Sequence, residues 1–173
     1  MTDLVVQRPE GLYCPAGDFY IDPWRPVERA FITHAHADHA RPGHGAYLCA
    51  EPAAGLMRAR LGDIGLQTLP YGETLRCADA VVSLHPAGHV LGSAQIRIEA
   101  HGEVLVVSGD YKLEPDPTCM PFEPVACRTF ITESTFGLPI YRWPAAAALI
   151  ADVHAWGREN AAQGRTSLLL CYA

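Results

Sequence analysis

Lysine is almost absent from this chain. Lys112 is the only one, and arginine supplies every other basic side chain. Arginine is the better partner for phosphate or carboxylate, because its planar fork donates two parallel hydrogen bonds. Long apolar runs are also missing. None reaches the ~20 residues that span a bilayer, so no membrane partner is expected. Residues 1 to 10 lack the charged start and long apolar stretch of a secretory leader, and the expected location is cytoplasmic. The six cysteines, Cys14, Cys49, Cys77, Cys119, Cys127 and Cys171, form no Cys-x-x-Cys pair. That spacing argues against a zinc knuckle, and in a reducing compartment it reads as buried thiols rather than disulfides. There is no internal repeat, low-complexity tract or Ser/Gly linker. Charged residues make up 18% of the chain and hydrophobic ones 49%, a globular composition and not a disordered one. A length of 173 residues is enough for one domain with a sizeable core.

Histidine and aspartate, by contrast, are concentrated. Residues 34 to 39 read His-Ala-His-Ala-Asp-His and follow the apolar run Ala30-Phe31-Ile32. In an extended segment the side chains at i and i+2 point the same way, so His34 and His36 can reach one ion. Asp38 and His39 project elsewhere as the chain turns and can hold a second. Neutral imidazole suits zinc, and a mixed His/Asp set suits zinc or manganese. Two divalent ions held ~3.5–4 Å apart can hydrolyse phosphate esters or acyl bonds.

Two ions need more ligands than one loop supplies. His89 lies in Pro86-Ala87-Gly88-His89-Val90-Leu91-Gly92-Ser93, after the apolar stretch Ala80 to Leu84. It is the expected third ligand of the first ion. The run Glu103-Val104-Leu105-Val106-Val107 leads into Ser108-Gly109-Asp110, a buried strand ending in a carboxylate that can give one oxygen to each ion. The expected plan places His34, His36 and His89 on one ion, Asp38 and His39 on the other, and Asp110 between them.

This series of motifs resembles the metallo-β-lactamase fold, with Asp22 in Phe19-Tyr20-Ile21-Asp22 matching its early aspartate. Thr129-Phe130-Ile131 then leads to Thr132-Glu133-Ser134-Thr135-Phe136-Gly137. An acidic residue before Ser-Thr-aromatic-Gly is similar to the first marker of the β-CASP nucleases, the branch that cuts DNA or RNA. Within that branch the wording from Gly11 to Ala173 is most similar to the bacterial ligase-associated DNA exonucleases: Gly11 to Asp18, Ile21-Asp22-Pro23-Trp24, His39 to His44, and Pro139-Ile140-Tyr141-Arg142. The resemblance implies an α/β protein with the αββα sandwich of the metallo-β-lactamase fold. Residues 1–137 would form its N-terminal half with the metal motifs. Residues 138–173, a helix plus a strand, would begin an inserted β-CASP domain.

The resemblance also implies an activity: metal-dependent phosphodiester hydrolysis, as a DNA exonuclease processing ends in repair alongside a DNA ligase and other repair proteins. The implied cofactors are two divalent ions, zinc with manganese as the alternative. Asp38 would aim the nucleophile besides binding metal. Asp22 would accept a hydrogen bond from a ligand imidazole and fix its tautomer. Glu133 would support a histidine that protonates the leaving group. Family members carry that histidine, and one more ligand, after the inserted domain. The chain ends at Ala173 within the apolar run Ser167 to Tyr172, which reads as a buried strand, so an N-terminal portion of a longer enzyme is expected. The alternatives are an RNA-processing nuclease of the same branch and a small-molecule thioesterase or lactonase. The net charge of −6 argues mildly against nucleic acid, yet Asp22, Asp38, Asp110 and Glu133 contribute to it and would face cations.

The remaining pattern is ordinary. Strands are expected at 4–6, 19–22, 30–33, 46–49, 67–69, 81–84, 94–98, 104–107 and 129–131. Helices are expected over 52–61, on a partial face of Leu56, Arg60 and Leu61, and over 144–162, with Leu149, Val153 and Trp156 at helical spacing. His85 reads as structural, and His101 and His154 as surface residues. His44 is divided between a phosphate contact and a solvated loop. Trp24 and Tyr141 could stack on bases, with core or interface packing the favoured reading.

Overall fold

The structure, a computed structural model, describes residues 3–170. It divides into two compact units, Met1–Glu133 and Ser134–Ala173. Two sheets make the first unit. One contains β1 (Val6–Arg8), β2 (Gly11–Cys14), β3 (Phe19–Ile21), β4 (Arg29–Phe31), β5 (Ala46–Ala50) and β6 (Leu66–Leu69), paired in chain order. The other contains β7 (Thr74–Cys77), β8 (Ala80–Pro86), β9 (Ala94–Ala100), β10 (Glu103–Val107) and β11 (Thr129–Ile131), in the order β11-β10-β9-β8-β7. The short strands β2 and β7 were not legible in the sequence pattern.

Strand alternation builds the core between the sheets. Phe19, Ile21, Phe31 and Leu48 point inward from the first sheet, and Val82, Leu84, Ile96 and Ile98 from the second. The Phe19 and Phe31 rings stack with centroids 3.9 Å apart. Burying each such side chain contributes about 1.5–3 kcal/mol, which is what clamps the sheets face to face.

The outer face of the first sheet offers Ala30, Ile32, Tyr47 and Cys49, and these pack against Ala53 and Met57. Met57 lies on helix α1 (Ala54–Leu61), which follows a short 3-10 turn at Glu51–Ala53. The helical face differs from the expected one. Met57 is fully buried and Leu56 exposed, while Arg60 donates a hydrogen bond to the Ala35 carbonyl in the histidine loop.

The second unit contains helix α2 (Ala146–Ala162), within the span expected from Pro144 onward. Leu149, Val153 and Trp156 have helical spacing but are exposed. The expected strand near its end does not form among the described residues: 167–170 carry no strand pairing, and Leu168, Leu169 and Leu170 are exposed. An apolar run is a strand only where another strand pairs with it, and none does so here. Cys171 and Tyr172 lie outside the described residues.

Candidate metal centre

Sheet pairing gathers the chemistry-bearing loops at one end of the sandwich. β9 runs antiparallel to both β8 and β10, and β11 runs parallel to β10. The end of β8, which leads to His89, therefore lies beside the ends of β10 and β11, which lead to Asp110 and Glu133. The first sheet contributes the histidine loop directly after β4. A backbone hydrogen bond from Ala94 N to Thr33 O, 2.8 Å, joins that loop to the second sheet.

Four ligand atoms, one each from His34, His36, His89 and Asp110, lie within 4.8 Å of one another. His34 Nε2 is 2.9 Å from His36 Nδ1, and His89 Nε2 is 3.4 Å from the same nitrogen. Asp110 Oδ2 stands 3.9 Å from His34 Nε2 and 3.7 Å from His89 Nε2. A tetrahedron with bonds of ~2.0 Å has edges of about 3.3 Å, so this donor set matches zinc in chemistry and in scale.

The other oxygen of Asp110 faces elsewhere. Oδ1 is 3.4 Å from His39 Nε2, which is 3.7 Å from Asp38 Oδ2. Asp110 thus stands between two groups of donors, one oxygen toward each. In the first group His34 is fully buried, and His36, His89 and Asp110 are half-buried. In the second, the Asp38 side chain is 63% exposed.

Charge follows this division. Burial, with His39 nearby, holds the His34 imidazole well below its ordinary range, although Asp110 opposes the shift. Burial lowers His89 as well, against Asp110 and Glu133. In His39, burial is outweighed by hydrogen bonds to Asp110 and Asp22, which push its pKa up to about 10. The same His39 contact holds the Asp110 carboxyl below the usual carboxylate range despite burial. Without metal these shifts favour, near neutral pH, a His39 protonated on both ring nitrogens and neutral imidazoles at His34 and His89.

Asp22 sits behind His39, its Oδ2 2.8 Å from His39 Nδ1. A carboxylate only accepts, so Nδ1–H donates and Nε2 is left to face Asp38 and Asp110. Asp22 also accepts from the Thr33 amide at 2.8 Å and the Thr33 hydroxyl at 2.6 Å. Glu133 lines a cleft of about 270 Å³ together with Asp22, Asp38, His39 and Asp110.

Several contributors escaped the sequence reading. Thr33 is one, although its position directly before His34 was a signal. Ser93 Oγ accepts from the His89 and Val90 amides at 3.1 and 3.2 Å and so shapes the His89 loop. Gly88 has φ +72°, and a Cβ there would lie 2.3 Å from the Lys112 carbonyl; only glycine lets the loops carrying His89 and Asp110 pack this closely.

Other histidines lie apart from the cluster. His44 is buried, with Nδ1 accepting from the Val27 amide at 3.3 Å, and neither contacts the cluster nor faces solvent. His85 joins Ser83 and Glu123 at 2.9 and 3.0 Å. His101 and His154 are exposed. Trp24 is 45% exposed, outside the core, its indole N–H donating to the Pro9 carbonyl.

No family model matches the chain. It is 38% identical over 172 residues to a probable DNA ligase of Opitutus terrae, across 97% of this chain and 17% of that protein. It is 27% identical over 147 residues to an RNase J-like protein of Methanocaldococcus jannaschii, across 71% of this chain and 35% of that one. It is 34% identical over 76 residues to the endoribonuclease ysh1 of Aspergillus fumigatus, across 42% of this chain and 9% of that one. The chain thus spans about a third or less of the length of these relatives. The chain is thus a relative, over part of their length, of nucleases of the β-CASP and metallo-β-lactamase family.

Proposed function

We propose that this chain carries the metal-binding part of a phosphodiester hydrolase acting on DNA ends, an exonuclease working in repair beside a DNA ligase. The observation that carries the hydrolase reading is Asp110, with Oδ2 toward His34 and His89 and Oδ1 toward His39. A carboxylate placed this way suits two adjacent cations. The lean toward DNA rests on the similarity to a ligase-named protein over 97% of the chain.

His34, His36, His89 and Asp110 would hold one ion, and Asp38, His39 and Asp110 the other. The imidazole-rich first group favours zinc, and the second group, with its exposed carboxylate, also accepts manganese. When bound, two such cations supply water activation near neutral pH and offset charge on phosphoryl oxygens. The chain's own groups do the rest. Asp38, open to solvent, accepts a hydrogen bond from the attacking water and aims it in line with phosphorus. Asp22 keeps His39 in the tautomer that presents Nε2. Glu133 orients the donor that protonates the leaving oxygen. The cleft bounded by Trp24, Asp38, His39 and Glu133 is where a strand end would enter.

RNA is the second reading, favoured by the endoribonuclease and RNase J-like relatives. The test is chelator-free purification of the full-length protein, metal analysis, and cleavage of end-labelled single-stranded DNA, duplex DNA and RNA. Close to two ions per chain and stepwise loss of DNA ends are expected. No bound metal would overturn the hydrolase reading. RNA cleavage in preference to DNA would replace the substrate, and thioester hydrolysis without either would move the chain to the small-molecule hydrolases.

A further inference from the structure

Thr33 lies between the two groups of metal ligands and belongs to neither. It is 1% exposed. Its hydroxyl oxygen is 2.6 Å from Asp22 Oδ2, 3.1 Å from His34 Nδ1 and 3.5 Å from His39 Nδ1. A hydroxyl has one proton to give. At 2.6 Å from a carboxylate, which can only accept, that proton goes to Asp22. The oxygen then has only lone pairs to offer His34, so His34 Nδ1 must be the donor in their contact. That fixes His34 as the Nδ1–H tautomer and leaves its Nε2 lone pair facing His36, His89 and Asp110. The Asp22 oxygen that receives the hydroxyl also receives His39 Nδ1–H at 2.8 Å, which leaves His39 Nε2 for the second group. One hydroxyl therefore stands at the junction of two imidazole orientations, one in each metal position.

The backbone opposite is cut to fit. Gly109, directly before Asp110, has φ +56°, and a Cβ there would lie 2.6 Å from Thr33 Cβ and 2.7 Å from its Oγ1. The residue before the shared carboxylate must be glycine for Thr33 to keep its place.

We propose that Thr33 is a positioning residue common to both metal positions, its hydroxyl setting the tautomer of His34 directly and holding Asp22 for His39, with Gly109 supplying the space. The inference rests on the two-metal reading but has a readout that does not. In the metal-free chain, long-range ¹⁵N–¹H NMR reports which ring nitrogen carries the proton. His34 is expected as a single Nδ1–H form in the wild type and in Thr33→Ser, and as a mixture or the opposite form in Thr33→Val. Zinc titration by calorimetry should show affinity at both positions reduced about 10- to 100-fold in Thr33→Val, the range for lost outer partners of ligand histidines. Thr33→Ser should stay within about threefold of wild type.

A wild-type His34 protonated on Nε2 would overturn the proposal, even if Thr33→Val failed to fold. So would equal zinc affinity in Thr33→Val and wild type, or equal damage from Val and Ser. Zinc uptake with the stated tautomers and affinities, but no cleavage of nucleic acid by the wild type, would count against the hydrolase reading and leave the role of Thr33 standing.

Discussion

The two groups of donors that share Asp110 are built differently. The first brings four ligand atoms together around a fully buried His34, and burial lowers the pKa of its His34 and His89 imidazoles. The second has His39, the far oxygen of Asp110, and an Asp38 that is mostly in solvent. Its imidazole holds a proton because two carboxylates flank it. Closed ligand sets serve structure, and open ones leave room for water and substrate. On the proposed two-metal reading, the first position would anchor an ion and the second would work with one, with Asp110 shared between them.

The severest way to break this comparison is Asp110→Ala. It removes an oxygen from both groups and leaves His34, His36, His39 and His89 facing one another with less negative charge. Loss of both ions is expected, with cleavage by the full-length protein down by several orders of magnitude. Metal analysis retaining one tightly held ion would show that the carboxylate is not shared.

Asp38→Ala should separate the two. Its side chain touches only the second group, so the first ion is expected to remain while cleavage again falls by several orders of magnitude. Retained cleavage would remove Asp38 from the mechanism.

A smaller effect comes from pH. Metal must displace the proton on His39, whose pKa is raised to about 10, so zinc affinity at the second position should rise as pH climbs from 7 toward 10. His34 and His89 are lowered below their ordinary value of 6.5, so the first position should change little in that window. In the metal-free chain the same raised pKa stabilises the fold fully below about 6.5. That contribution is lost as pH rises through 10, and His39→Gln should flatten this part of a thermal-stability profile. Equal pH slopes at both positions would erase the electrostatic difference.

His101→Ala is the quiet control. The residue sits in an exposed turn at φ +54°, remote from either group, and cleavage within twofold of wild type is expected.

The sequence reading reached furthest where a short pattern carries its own geometry. His34, His36, Asp38 and His39 lie within six positions on a loop after a strand, and their spacing suggested two directions. His89 and Asp110 were legible because each follows an apolar run. The reading failed where a partner far along the chain decides the outcome. The face of α1 depends on what the first sheet offers, so Met57 and not Leu56 is buried. Leu168 to Leu170 looked like a strand, yet no strand pairs with them among the described residues.

What the sequence by itself supplied is therefore the candidate donors and the expectation of two groups, since side-chain chemistry and local spacing need no distant partner. Only the tertiary structure decided how those donors are aimed. It placed Thr33 between Asp22 and His34, set Gly109 against it, and turned the two oxygens of Asp110 in different directions. Those contacts join residues from different strands and both sheets. Hydrogen-bond direction in a buried site depends on distances of tenths of an ångström, which exist only once the sheets have packed.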